Sequence, residues 1–171
     1  EGLKNQQMII RPINTDICRD RRRFALFPFS LYYQTPQWVP PFVSDMALLF
    51  DRNKHPFYQH SDAQFLIAES ESQVVGRLAV LHQRPYCAYH NEKIAFFYYF
   101  ECIDDQEVAN GLFQAAEEWA HRRGCEVIYG PRGFQRSDCI GLLVNGFELT
   151  PAMGMIYNLP YYERLIKAAG F

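Results

Sequence analysis

Residues 94–124, IAFFYYFECIDDQEVANGLFQAAEEWAHRRG, constrain the fold more than any other stretch. The first part, 94–103, is dense in aromatic side chains and free of Pro and Gly, as suits a strand with one or both faces buried. From Asp105 the period changes. Val108, Leu112, Ala115, Ala116 and Trp119 recur at three- and four-residue spacing, widened by Ala109, Phe113 and Ala120. That pattern predicts the core-facing stripe of an amphipathic helix. Asp104 is the expected N-cap, with Glu107 at the capping-box position. His121, Arg122 and Arg123 fill the last turn, and Gly124 follows as the C′ residue. A strand–turn–helix unit presents the unpaired N–H groups and positive end of a helix, where an anion or cofactor can sit.

The chain around this unit has 171 residues, enough for one domain with a sizeable core. Hydrophobic residues make up 49%, which excludes a disordered chain. A net charge of −2 gives no general attraction to nucleic acid or to an anionic membrane, so neither is expected as a partner. No apolar run reaches the length of a membrane span, and no signal peptide is visible. The five cysteines (Cys18, Cys87, Cys102, Cys125 and Cys139) are odd in number and form no C-x-x-C. They read as reduced, mostly buried thiols of a cytoplasmic protein.

In chain order, residues 8–13 predict a short strand ended by Pro12. Residues 16–27 predict a helix capped by Thr15 or Asp16, whose RDRRRF run reads as a solvated face. The segment FPFSLYYQTPQWVPPF is too rich in proline for one regular element. It predicts a loop laying aromatics over the core, with Tyr32, Tyr33, Trp38 and Phe57 as residues able to line a pocket. Ser44 is expected to cap a short helix over 44–50. Residues 64–69 and 73–82 predict a hairpin joined through 70–72, with Gly76 marking a bulge or a close backbone approach. Residues 83–93 read as a connection and 126–129 as another strand. The Gly-rich segment from Gly130 to Pro151 reads as a long, irregular loop, of a kind that often carries function. A strand over 153–157 and a last helix over 160–169, capped by Asn158, complete the reading.

This order of elements resembles the GNAT superfamily of acyl-CoA-dependent N-acyltransferases. VVGRLAV is similar to the family's central hairpin strand. FECIDDQEVANGLFQAAEEWAHRRG is similar to its fourth strand and third helix, through Leu112, Phe113, Ala116, Ala120 and Gly124. NLPYYERLIKAAGF resembles its C-terminal signature through Asn158, Leu165, Gly170 and Phe171. GRLAV, AEEWAHRRG, YGPRGF, LLVNGF and YNLPYYERLIKAAGF together look like an uncharacterised group of larger GNAT-like proteins. The resemblance implies a mixed α+β fold, a mostly antiparallel sheet flanked by helices, lacking the family's last two strands. One GNAT-like domain over 1–171 is then expected, as a fragment or N-terminal part of a longer protein or a half completed by a tandem or homodimeric partner. The substrates implied are acetyl-CoA or another acyl-CoA and an amine acceptor, with no metal. Glu101 is implied as general base and Tyr162 as general acid, and Cys102, Ile103, Asp105, Ala109 and Asn158 as residues along the acyl-CoA.

Against the family pattern, the turn before the long helix is acidic. Glu107 stands where the first cofactor-binding glycine is expected, and only Ala109 fits the second. Asp104 and Asp105 replace basic or amide residues, and each carboxylate near a pyrophosphate costs roughly 1–3 kcal/mol. Ile166 occupies the family's tyrosine position, with Tyr162 about one turn earlier. From the residues alone, Glu101 reads either as a base raised by burial or as a carboxylate paired with Arg77 or Lys93. Tyr161 and Tyr162 can equally pack the last helix, and Asn158 can be a helix cap. Arg132, Arg136 and Ser137 offer an alternative phosphate site or a loop salt bridge. His55 and His60 lie in a polar loop with no cluster to complete a metal site. The second function class is a GNAT-fold binding module without transfer activity.

Overall fold

The computed structural model describes residues 8–171. Its elements are β1 (Ile9–Pro12), α1 (Cys18–Leu31), α2 (Val43–Phe50), a 3-10 turn at Pro56–Gln59, β2 (Asp62–Ser70) and β3 (Gln73–His82). There follow α3 (Arg84–His90), β4 (Ile94–Cys102), α4 (Gln106–His121), β5 (Val127–Tyr129) and α5 (Tyr162–Ala168). The strands form one sheet in the order β1-β2-β3-β4-β5. The first three pairs are antiparallel and β4–β5 is parallel. This is the mixed α+β architecture expected from the sequence.

Strand periodicity divides the core in two. Leu66, Ala68, Leu78 and Val80 face α4 and α5, while Phe65, Ile67, Ala79 and Leu81 face α1 and α2. Both faces are buried, so β2 and β3 read as almost continuous apolar runs. Their connection is two residues, Glu71 and Ser72, both with positive φ (50° and 66°). That is the type I′ geometry whose twist matches a hairpin. Gly76 lets α4 approach the sheet. A Cβ there would stand 2.9 Å from each of Cys102, Val108 and Leu112.

α4 buries the predicted stripe, including Val108, Leu112, Ala116 and Trp119. Its cap is Asp105, not Asp104: the Asp105 carboxylate accepts from the Glu107 N–H at 2.8 Å. The C-terminus closes as expected, with Gly124 at φ 77° and Cys125 N–H donating to Ala120 C=O at 3.1 Å.

Other boundaries moved for identifiable reasons. α1 continues to Leu31 through Pro28, because Phe24, Phe27 and Pro28 are buried together and packing outweighs the proline penalty. α2 is entered through Phe42 and has no side-chain cap, so Ser44 does not serve. The expected connection over 83–93 contains α3, started by Pro85 in its first turn and ended by Asn91 in the left-handed conformation. No strand forms over 153–157, where Gly154 turns with φ 82° and Met153 and Met155 are exposed. α5 begins at Tyr162 without a side-chain cap, because Asn158 is engaged elsewhere. Of the cysteines, Cys87, Cys102 and Cys125 are buried, Cys18 is exposed and Cys139 half-buried.

Candidate active site

The site arises where β4 loses its neighbour. β5 pairs only with Ile94, Ala95 and Phe96. The chain then leaves through a cis Gly130–Pro131 peptide. Gly130 is needed there, since a Cβ would lie 2.5 Å from the Phe97 ring and 2.6 Å from its carbonyl oxygen. Arg132 N–H still donates to Phe97 C=O at 2.8 Å, and beyond that point β5 no longer follows β4.

The same stretch of β4 contains a bulge. Register jumps from Ala79↔Tyr98 to Arg77↔Glu101, and Tyr99 has φ 51°. One extra residue inverts the facing of everything after it. Before the bulge Ala95 and Phe97 face α4; after it Phe100 and Cys102 do. Glu101 is thereby turned toward α1, beside Tyr98 and Tyr99. Together with Tyr32, Trp38 and Tyr162 they line a cavity of about 250 Å³.

Glu101 is paired with Arg77, one of its two expected partners. Arg77 Nε donates to its Oε2 at 2.6 Å, and both Arg77 and Tyr32 act to lower its pKa. Burial nevertheless pushes its pKa up, outweighing the attraction of Arg77. Arg77 is 2% exposed. It also donates to Phe24 C=O at 2.8 Å and lies over the Phe24 and Tyr99 rings at 4.9 and 5.2 Å. Lys93 is not involved; it pairs with Glu126 at 2.7 Å.

Tyr162 shares the cavity. Its oxygen accepts from Cys102 N–H at 3.2 Å and lies 3.4 Å from the Tyr32 hydroxyl. Tyr161 donates to Cys102 C=O at 2.7 Å. The two tyrosines leading into α5 therefore satisfy the backbone of β4 where no strand does. Burial raises Tyr32 and Tyr162 well above the ordinary phenol range, so both remain protonated donors near neutrality.

The residues expected along the acyl-CoA are not gathered in one place. Cys102 is at the open edge, but its backbone N–H and C=O are taken by Tyr162 and Tyr161, and burial raises its thiol pKa. Ile103 N–H belongs to the hairpin side, donating to Val75 C=O at 3.0 Å. Asp105 caps α4, and Ala109 is wholly buried. Asn158 lines the cavity, where its side chain holds Leu143 by accepting from N–H at 2.7 Å and donating to C=O at 3.2 Å. Asp104 is ion-paired with Arg164, and Gln106 donates to Leu165 C=O at 3.0 Å, tying α4 to α5.

Of the loop candidates, Arg132 stacks over Tyr86 and Phe96, at 4.5 and 4.6 Å, while Arg136 and Ser137 are exposed. Tyr32 and Trp38 reach the cavity, whereas Tyr33 is exposed and Phe57 is buried in the α1-side core. Sequence reasoning missed the bulge and the joining role of Tyr32. The signal for the bulge was the parity slip in FFYYFEC, where strict alternation fails. Among the described residues, no group of His, Cys, Asp or Glu is arranged to hold a metal. Among the same residues, no helix is long and apolar enough to cross a membrane.

No protein-family model matches the chain. It is 32% identical over 161 residues to protein YghO of Escherichia coli K12, covering 89% of this chain and 39% of that protein. It is 29% identical over 168 residues to a bacterial ceramide synthase of Caulobacter vibrioides, covering 98% and 43% respectively. The chain thus spans about two fifths of the curated relatives it matches. Among solved structures it is similar to an aminoglycoside acetyltransferase from an uncultured soil metagenomic sample. There the TM-score is 0.54 and identity 14%, over 74% of this chain and 78% of that one. A tandem GNAT protein from the clavulanic acid biosynthesis pathway superposes with TM-score 0.50 and 14% identity, over 68% and 34%. The sheet order, the flanking helices and these superpositions agree: the chain has the fold of the GNAT acetyltransferases.

Proposed function

We propose that this chain carries the acyl-transfer site of an N-acyltransferase that moves an acyl group from acyl-CoA to a primary amine. The observation that carries the reading is the cavity at the open edge of β4, where Glu101 and the Tyr162 hydroxyl converge. Glu101 is the general base. Its raised pKa moves its proton affinity toward that of a substrate amine while Arg77 keeps the carboxylate oriented. The amine nitrogen attacks the thioester carbon, and Tyr162, protonated at neutral pH, supplies the proton taken up by the leaving thiolate.

The finer reading of the acceptor is a long-chain amine. A ceramide is an amide of a long-chain amino alcohol, and one relative is named as a ceramide synthase. Trp38, Val39, Leu142, Met155 and Ile156 give the cavity an apolar wall that suits a hydrocarbon chain. A tandem or dimeric partner domain fits the greater length of the relatives and the likeness to a tandem GNAT protein.

A second reading, a GNAT-fold binding module without transfer, is favoured by the α4 turn. Asp105 already caps the helix, Asp104 is engaged by Arg164, and the two tyrosines occupy the Cys102 backbone. Calorimetric titration of the full-length protein with acetyl-CoA and longer acyl-CoAs separates the two. The enzyme reading expects binding of at least one acyl-CoA and its turnover with a long-chain amine. Absence of heat with every acyl-CoA sinks it.

A further inference from the structure

Tyr32 lies outside the strand–turn–helix unit, at the end of α1, yet its hydroxyl sits between the two residues assigned to acid–base chemistry. It is 2% exposed. Its ring is clamped by a parallel stack on Trp38 (centroids 4.9 Å, 11° between planes) and by the edge of Tyr157 at 6.3 Å. On one side it shares the cavity with the Glu101 carboxylate, whose pKa it helps hold down; on the other its hydroxyl donates to the Tyr162 hydroxyl at 3.4 Å. Tyr162 in turn accepts from Cys102 N–H. The groups stand in series: Cys102 N–H donates to Tyr162, Tyr32 O–H donates to Tyr162 across 3.4 Å, Tyr32 and Glu101 line the same cavity, and Arg77 holds Glu101. Each phenol has one proton and can accept as well as donate, so the chain is able to reverse.

We propose that Tyr32 is a proton relay joining the base to the acid, so that the proton removed from the amine replaces, through Tyr32, the one Tyr162 delivers to the CoA sulfur. The inference rests on the acyltransferase reading above. The balance is as follows. The neutral amine attacks, forming the C–N bond, and its N–H proton passes to Glu101. Collapse of the tetrahedral adduct breaks the C–S bond, and the sulfur takes the proton of Tyr162. Tyr162 then recovers a proton from Tyr32, and Tyr32 from Glu101. Amide and thiol are formed and every side chain ends as it began. Bulk solvent is not needed for the return, which matters where the acid is fully buried and the base largely so. The 3.4 Å gap between the phenols is longer than an ordinary O–H···O bond, so the relay predicts that it closes by about half an ångström in the substrate complex.

Tyr32→Phe in the full-length protein tests this, since the ring keeps its stack on Trp38. The relay requires kcat to fall roughly 10²-fold with the KM for acyl-CoA within about twofold. It also requires the Glu101 carboxyl band, followed by infrared difference against Glu101→Gln, to titrate at higher pH once its Tyr32 donor is gone. Tyr162→Phe must cost about as much, and the double variant little more than either single, because elements in series are not additive. Thermal midpoints identify a variant that fails to fold; if that is Tyr32→Phe, Tyr162→Phe alone carries the test, and an unchanged kcat in it overturns the relay. With an active wild type, an unchanged kcat, an unmoved Glu101 titration or multiplicative losses in the double variant each overturn the relay alone. A wild type that turns over no acyl-CoA with any amine overturns both the relay and the reading beneath it.

Discussion

Arg77 shows how a single residue changes meaning once its neighbours are known. In the sequence it is a charge inside an apolar strand, and Glu101 a carboxylate near the end of another. Their alternatives, base or ion pair, follow from composition alone and cannot be separated there. The register Arg77↔Glu101 brings them side by side, and the bulge at Tyr99 puts the pair on the cavity wall. The ion pair is thereby formed and does not decide against the base reading, because a buried carboxylate needs a donor whether or not it does chemistry. A second charged cluster anchors the start of α1. Arg11 donates to both carboxylate oxygens of Asp20 at 2.9 and 3.0 Å, and Asn14 N–H donates to Asp20 at 2.9 Å. The Arg11 bond chiefly lowers the Asp20 pKa to about 2. A depressed carboxylate stabilises the fold above its unfolded pKa, and that contribution disappears as pH falls through the folded value. Asp20→Asn is therefore expected to destabilise by about 1 kcal/mol at pH 7, after allowance for solvent screening. The deficit should shrink as pH drops from about 4 toward 2. Urea midpoints for wild type and variant across that range check it, and a deficit that grows on acidification contradicts the assignment.

At the scale of elements, legibility followed physical cause. α4 was readable to within one residue at its start because the stripe and the C′ glycine act locally. The hairpin was readable because both strands are buried on both faces and the turn is short. α3 was missed although Pro85 and Asn91 mark its ends, because its residues carry no apolar period. The 153–157 strand was a false reading: Met-Gly-Met-Ile-Tyr has strand composition, but with Gly154 in the left-handed region it turns instead. The cap also slipped by one residue, which local sequence cannot resolve where two aspartates are adjacent. What fixes α4 to the sheet was legible only as a glycine inside a strand. Gly76 carries the closest approach of helix and sheet, so Gly76→Ala forces Cys102, Val108 and Leu112 apart. Overpacking of this kind costs typically 1–3 kcal/mol. The thermal midpoint should fall accordingly, and a variant as stable as wild type means that the α4 contact is looser than described.

For the whole molecule, the sheet separates two cores of different purpose. The α4 side is a continuous apolar packing of Leu66, Val80, Phe97, Leu112 and Leu165. The α1 side carries Arg77, Tyr98 and Tyr99 among its apolar residues, and there the cavity opens. Its outer wall is the irregular segment after β5, which leaves Ile140, Val144, Leu149, Met153 and Met155 well exposed. Such a segment has few backbone hydrogen bonds to other elements, so it opens at low free energy while the central strands open only near the global limit. Amide exchange of the full-length protein should accordingly be slowest in β2, β3 and the first half of β4, and fastest over 144–155. If acyl-CoA enters at the open edge of β4, its binding must slow exchange in two places. One is the end of β4, where Cys102 N–H would exchange its Tyr162 partner for the ligand or be held more firmly. The other is 141–142 and 154–158, which face β4 across the cavity. Protection confined to α1 and α2 would place the ligand on the opposite side of Tyr32 and remove the edge of β4 from the binding site. Protection at β4 without the facing loop would mean that the ligand reaches the edge while the wall stays open, a geometry that leaves Glu101 in water and gives its raised pKa no catalytic use.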